Sequence, residues 1–173
     1  REDVEAAFAV NLTRFRPVSE ALIAELEAAF APPAFVTLST GAQYEGVGIT
    51  SLLSRGHAVV VTDYEGLGTP GTHTYMVREA QAHAVLDAVR AAAQVAGSGV
   101  TATAPVALAG YSQGGGASAA AAELAPDYAP ELDLKGAYAG APPADLVQVA
   151  DRIDGGLYAA FLLYAMAGQL AAY

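Results

Sequence analysis

Cysteine and tryptophan are absent from this 173-residue chain, and basic residues are scarce. Without cysteine there is no disulfide framework and no thiolate metal site. Eight Lys plus Arg stand against eighteen Asp plus Glu, a formal net charge of −10. Phosphate backbones need a basic surface, so nucleic acid is excluded as a partner. The opening residues, Arg1-Glu2-Asp3, lack the basic region and apolar run of a signal peptide. They also lack an initiator methionine, so the chain reads as processed or partial. Long apolar runs are nearly absent too. Leu157 to Tyr173 is the exception, softened by Gly168 and Gln169. It falls short of the ~20 residues of a membrane span and reads as a buried or lid-like helix.

Hydrophobic residues make up 54% of the chain and charged residues 15%, which fits one packed domain rather than disorder. Glu2 to Val10 reads as helical. Ser19 to Phe30 reads as a helix with Ser19 as N-cap and Leu22, Ile23, Leu26 and Phe30 on one stripe. Pro32-Pro33 stops it, and Ala34 to Leu38 suits a short strand. Gly48 to Arg55 looks helical. Ala58 to Thr62 is an apolar, β-branched run, as in a strand covered on both faces. Gly66 to Gly71 is a loop, Val77 to Ala96 a long helix and Pro105 to Ala109 a strand. Gly115 to Leu124 is a helix of small residues, Leu134 to Ala139 a strand and Pro143 to Ile153 a helix. Strand, helix, strand, helix, strand predicts an α/β fold, a parallel sheet with helices on both faces.

Chemistry concentrates at Gly110-Tyr111-Ser112-Gln113-Gly114, which fits G-x-S-x-G. In a nucleophile elbow the serine occupies a tight strand-to-helix turn. The positions two before and two after it must be small, because the turn brings them close. Gly110 and Gly114 meet that need, and Gly115 and Gly116 let the helix start near the strand. The helix N-terminus favours negative charge developing on a substrate oxygen. The bare pattern is weak in a chain with eighteen glycines, and a serine at a helix N-cap is the bland alternative. An apolar strand before and a small-residue helix after favour the elbow.

At these residues the chain resembles the secretory lipase family, the lipase A-like branch of the α/β-hydrolases. The resemblance runs from about Tyr44 to Tyr173 and is densest at Val59 to Gly68, Ala109 to Gly116 and Tyr128 to Leu132, with Gly140-Ala141-Pro142-Pro143 similar as well. It implies hydrolysis of carboxylic esters of lipids through a serine nucleophile and an acyl-enzyme, with no metal or organic cofactor. It implies that Ser112 attacks the carbonyl, and that Gln113 through its N–H and Asp63 form the oxyanion hole. Tyr64, Tyr111 and His73 are expected at the substrate pocket. The place of Asp63 also suits elementary topology, since sites in open α/β sheets lie at the carboxyl ends of strands. A loop aspartate capping a turn is the alternative. The chain is divided into an N-terminal helical segment (1–31), which does not clearly resemble the family, a truncated α/β-hydrolase core (32–143) and, by the resemblance, the beginning of a helical lid (144–173). It further implies secretion and transient contact with a lipid interface, without an integral span.

The departures from the family pattern concern the other triad members. In α/β-hydrolases the order is serine, acid, histidine. Here the three histidines, His57, His73 and His83, all precede Ser112. His57 reads as a turn residue. His83 lies between Glu79 and Asp87 and reads as part of a solvated helix face. His73 follows the loop after Asp63 and could approach the site from a non-standard position. Asp127, Asp133, Asp145, Asp151 and Asp154 follow Ser112, but none is placed as the acid. The acid and histidine are therefore expected on sequence beyond these residues.

Gly66-Leu67-Gly68-Thr69-Pro70-Gly71 also matches G-x-G-x-x-G after an apolar run. Dinucleotide binding needs the helix to open at the third glycine, and Thr72-His73-Thr74 intervenes. Two further readings compete with a lipase: an inactive or fragmentary relative that binds apolar ligands, and an enzyme for short esters, thioesters or peptides.

Overall fold

The computed structural model describes residues 46–67, 70–96 and 98–173. The expected helices Glu2 to Val10 and Ser19 to Phe30, the expected strand Ala34 to Leu38 and the 1–31 segment lie outside the described residues. The chain divides into two compact units. Among the described residues the first holds those up to Asp63, Leu67 and 87–104, and the second holds 64–66, 70–86 and 105–173.

In the first unit, α1 (Gly46–Ser54) buries Ile49, and Leu53, Val60, Val95 and Val100 are half-buried in the same apolar cluster. The helix ends in a turn at Gly56, where φ is +85°, a value glycine adopts without steric cost. The exposed His57 follows that turn, its N–H donating to the Leu52 carbonyl at 3.2 Å. The segment Ala58 to Thr62 does not form the strand its composition predicts. Only Val60 makes a bridge. A β-branched apolar run suits an extended backbone, but a strand requires a ladder partner that composition does not supply.

The second unit is built on a parallel β-α-β hairpin. Strand β1 (Pro105–Tyr111) pairs with β2 (Asp133–Gly140), and α3 (Gln113–Tyr128) makes the crossover and packs on both strands. The register runs from Pro105 opposite Asp133 to Tyr111 opposite Gly140, with one irregularity between Val106 and Ala107. Small residues let α3 lie close to the sheet. A Cβ on Gly115 would strike the Gly140 carbonyl oxygen. Ala117, Ala120, Ala121 and Ala125 are buried, and all but Ala117 join Leu108 of β1 and Ala129 in one core cluster. From α2 (Arg78–Gln94), Ala82 and the fully buried Leu86 complete it.

Helix α3 continues past Pro126, beyond its expected end at Leu124. Proline forfeits one helical hydrogen bond, but burial of Ala125 and Ala129 keeps the last turn in place, and the Ala129 N–H reaches the Ala125 carbonyl at 2.9 Å. His83 is not on a solvated face. It is half-buried, its ring stacked on Tyr128 with centroids 3.8 Å apart and planes 15° apart. Beyond β2 the chain forms α4 (Leu146–Ile153) and α5 (Ala160–Ala172). Asp145 caps α4, accepting from the N–H groups of Val147 and Gln148, each at 3.0 Å. Those bonds start the helix three residues after Pro143. Among the described residues, no helix is long and apolar enough to cross a membrane.

Candidate active site at the strand-to-helix elbow

Ser112 stands alone between the last residue of β1 and the first of α3. Its backbone has φ +54° and ψ −116°, outside the regions L-residues ordinarily occupy. Two hydrogen bonds hold that conformation. The Ser112 N–H donates to the Gly140 carbonyl at 2.9 Å, and the Ser112 carbonyl accepts from the Gly116 N–H at 3.0 Å. The turn presses Gly110 against Gly114, so a Cβ on Gly110 would overlap the Gly114 carbonyl. This close approach is why position 110 is glycine, whereas a Cβ on Gly114 would meet nothing nearer than the Tyr64 hydroxyl. Ser112 itself is exposed. Ahead of it lies the start of α3, whose first N–H groups have no intrahelical acceptor.

Tyr64 to Gly66 and Pro70 to Val77 supply the neighbouring wall. Tyr64 also has positive φ, +62°, and a Cβ on Gly114 would come 4.0 Å from its hydroxyl. Burial pushes the Tyr64 phenol up to about 12, so it stays protonated as a donor. His73 packs between Tyr64 and Tyr75, at ring distances of 6.1 and 5.8 Å. Its Nδ1 lies 2.7 Å from the Glu65 carbonyl oxygen, and its Nε2 lies 3.3 Å from the Gln113 side-chain amide nitrogen. The Glu65 carboxylate accepts from the Thr74 hydroxyl at 3.2 Å. Tyr75, whose phenol is also raised by burial, stacks with Phe161 of α5 at 6.1 Å. Helix α5 is seated here by Gly168, where a Cβ would strike the Tyr75 carbonyl, and by Gln169, which donates to the Met76 carbonyl at 3.2 Å.

Of the residues singled out in sequence, the second unit brings together Ser112, Gln113, Gly110, Gly114, Tyr64 and His73. Tyr111 is there too, but with its side chain 64% exposed. Asp63 is half-buried and belongs to the first unit. Sequence reasoning passes over Glu65, Tyr75 and Ala141. Ala141 has φ +43° directly after the carbonyl that anchors Ser112. The two prolines after it are the signal of an irregular backbone there.

A cavity of about 420 Å³ opens beside this loop, lined by Glu65, Thr74, Val77, Glu79, Ala80 and the end of α5. It does not include Ser112 or Gln113. The elbow is the better-founded site, because a strained serine at a helix N-terminus is a chemical arrangement and a surface hollow is not. Among the described residues, no group of three or more His, Asp or Glu is suited to a metal ion. Helix α2 opens at Arg78 rather than at Gly71, which leaves no helix N-terminus at the glycine-rich loop for a pyrophosphate.

A parallel β-α-β unit with a positive-φ serine at its strand-to-helix turn belongs to the α/β-hydrolase class. Two similar solved structures agree. Candida antarctica lipase A superposes with a TM-score of 0.65 at 31% identity, covering 74% of this chain and 28% of that one. Its closed state gives 0.64 at 32% identity, covering 73% and 29%. Residues 31–173 match the secretory lipase family, and the chain belongs to that family. Lipase 7 of Candida albicans is 35% identical over 131 residues, 76% of this chain and 29% of the relative. A Mycobacterium tuberculosis protein named "probable inactive lipase" is 40% identical over 121 residues, 68% and 25%. A secreted triacylglycerol lipase of Malassezia furfur is 32% identical over 130 residues, 75% and 27%. The chain thus spans about a quarter of the length of these relatives.

Proposed function

We propose that this chain is the nucleophile-bearing part of a secreted serine hydrolase that cleaves carboxylic esters of lipids. The strained backbone of Ser112 at the elbow carries the proposal. It lifts the hydroxyl off the regular strand and helix into the open, where a carbonyl can approach. Ser112 attacks the ester carbonyl, forming a tetrahedral oxyanion and then, as the alcohol leaves, an acyl-enzyme that water hydrolyses. The Gln113 N–H faces the oxyanion. Tyr64, His73 and Tyr111 line the substrate's approach. The chemistry calls for no metal or organic cofactor. Residues 144–173 are the beginning of a lid, and the apolar side chains of α5 make transient contact with a lipid interface. Leu163, Met166 and Leu170 on that helix are 67%, 62% and 82% exposed.

The family order places the base after Ser112, and the three histidines of this sequence all precede it. The name of the mycobacterial relative favours a second reading, an inactive relative that binds apolar ligands. Hydrolysis of p-nitrophenyl butyrate by the protein that joins this chain to its acid and histidine, beside Ser112→Ala, separates the two. The proposal expects turnover in the parent and only background in the variant, a loss of at least about a thousandfold. Fatty-acid binding without turnover supports the second reading. Comparison of soluble butyrate with emulsified long-chain esters then distinguishes lipase from esterase.

A further inference from the structure

We infer that His73 is a positioning residue that holds Gln113, and through it the N-terminus of α3, in the geometry the oxyanion requires. The inference rests on the hydrolase reading above. Its starting point is the pair of hydrogen bonds on the imidazole. The Glu65 carbonyl can only accept, so Nδ1, 2.7 Å away, carries the proton. A neutral ring protonated at Nδ1 has its lone pair at Nε2. That lone pair accepts from the Gln113 side-chain amide, 3.3 Å away.

The second bond joins residues forty positions apart, so it ties the Pro70–Val77 segment to the elbow and is not a local turn. Gln113 is the first residue of α3 and follows a serine at φ +54°. Its N–H has no intrahelical acceptor, and the first turn is where a helix backbone is least constrained. The two backbone bonds of Ser112 fix the elbow from the sheet side and the helix side. His73 adds a third restraint from the loop. The ring is itself held, by Tyr64 and Tyr75 on its flanks and by the close approach of Gly66 to the His73 backbone. The same geometry argues against His73 as the base for Ser112, because its only lone pair is engaged by Gln113.

Two measurements test this. Long-range proton–nitrogen NMR correlations on the 173-residue chain report the tautomer of His73. The Nδ1–H form is expected, and an Nε2–H form or an averaged ring overturns the bridge. Kinetics on p-nitrophenyl butyrate in the protein that joins this chain to its acid and histidine, counting only turnover abolished by Ser112→Ala, then test the role. His73→Phe keeps the ring between the tyrosines but removes both bonds. His73→Gln loses the ring but keeps an acceptor toward Gln113. The inference expects His73→Phe to lower kcat on the order of tenfold with little change in KM, as for a misplaced transition-state contact. It expects His73→Gln to recover most of that loss, and His73→Phe to cost nothing further in a Gln113→Ala background. Tolerance of Phe with failure of Gln, or a full additive loss in the Gln113→Ala background, assigns His73 to packing and overturns the inference. If the parent shows no Ser112-dependent turnover, the hydrolase reading falls and the catalytic role with it. The tautomer still decides whether the bridge exists.

Discussion

At Ser112 backbone strain and chain entropy oppose each other. A non-glycine residue held at φ +54° stores about 1–3 kcal/mol of strain. Glycine at that position would release it while adding about 0.5–1 kcal/mol of chain entropy to the unfolded state. Relief of strain outweighs the entropy, so Ser112→Gly is expected to raise stability by about 1 kcal/mol in urea unfolding. Ser112→Ala keeps its Cβ and gains nothing. A stability that falls on introducing glycine would mean the elbow is not strained. The serine is legible in the sequence because its neighbours are dictated by sterics. Gly110 can be nothing larger against the Gly114 backbone, and that shows as a pattern. The His73–Gln113 bridge leaves no such mark, because it joins distant residues through two polar atoms and constrains no neighbour's size. The flanking acids of His83 suggest a solvent face. Its partner, Tyr128, lies on another helix and is invisible to local periodicity.

At the scale of elements, the β1-α3-β2 unit is where local and tertiary preferences coincide. Apolar strands flank a helix of alanine and glycine, and all three follow from the sequence to within a few residues. The closeness of α3 to the sheet depends on Gly115. Alanine there gains up to about 1 kcal/mol of helix propensity. It also drives a methyl into the Gly140 carbonyl, an overpacking of about 1–3 kcal/mol that the backbone cannot easily relieve. Gly115→Ala is therefore expected to lower stability and, because Gly140 anchors Ser112, to disturb the elbow. An unchanged unfolding midpoint would contradict that packing.

The cap of α4 behaves as a carboxylate should. Hydrogen bonds from the Gln148 N–H, the Gln148 side chain and the Val147 N–H hold the Asp145 carboxyl below the usual aspartate value. A depressed folded-state value contributes stability above the unfolded aspartate value of ~3.9, and that contribution is lost as pH falls through the folded one. Asp145→Ala should lower the melting temperature at neutral pH, and the difference should shrink as pH falls below the unfolded aspartate value of ~3.9. A difference that persists in acid would mean the cap does not act through the ionised carboxylate. The run Ala58 to Thr62 is the counter-example among elements. Its composition specifies extended backbone but not a pairing partner, so it predicts a strand where only Val60 bridges.

For the molecule as a whole, the acidic balance bears on partners at the level of charge alone. A net charge of −10 disfavours phosphate. Family and fold are legible at this scale because several short segments recur in one order, which chance does not reproduce. The rest of the catalytic machinery is not, since the chain spans about a quarter of its relatives and its histidines all precede the serine. The central claim is that Ser112 is held as a nucleophile. The most direct test is to expose the protein that joins this chain to its acid and histidine to diethyl p-nitrophenyl phosphate, which transfers a diethylphosphoryl group to an activated serine, and to map the adduct by peptide mass spectrometry. The account predicts one adduct, on Ser112, lost in Ser112→Ala. No adduct, or one on another residue at an unchanged rate in the variant, would contradict it.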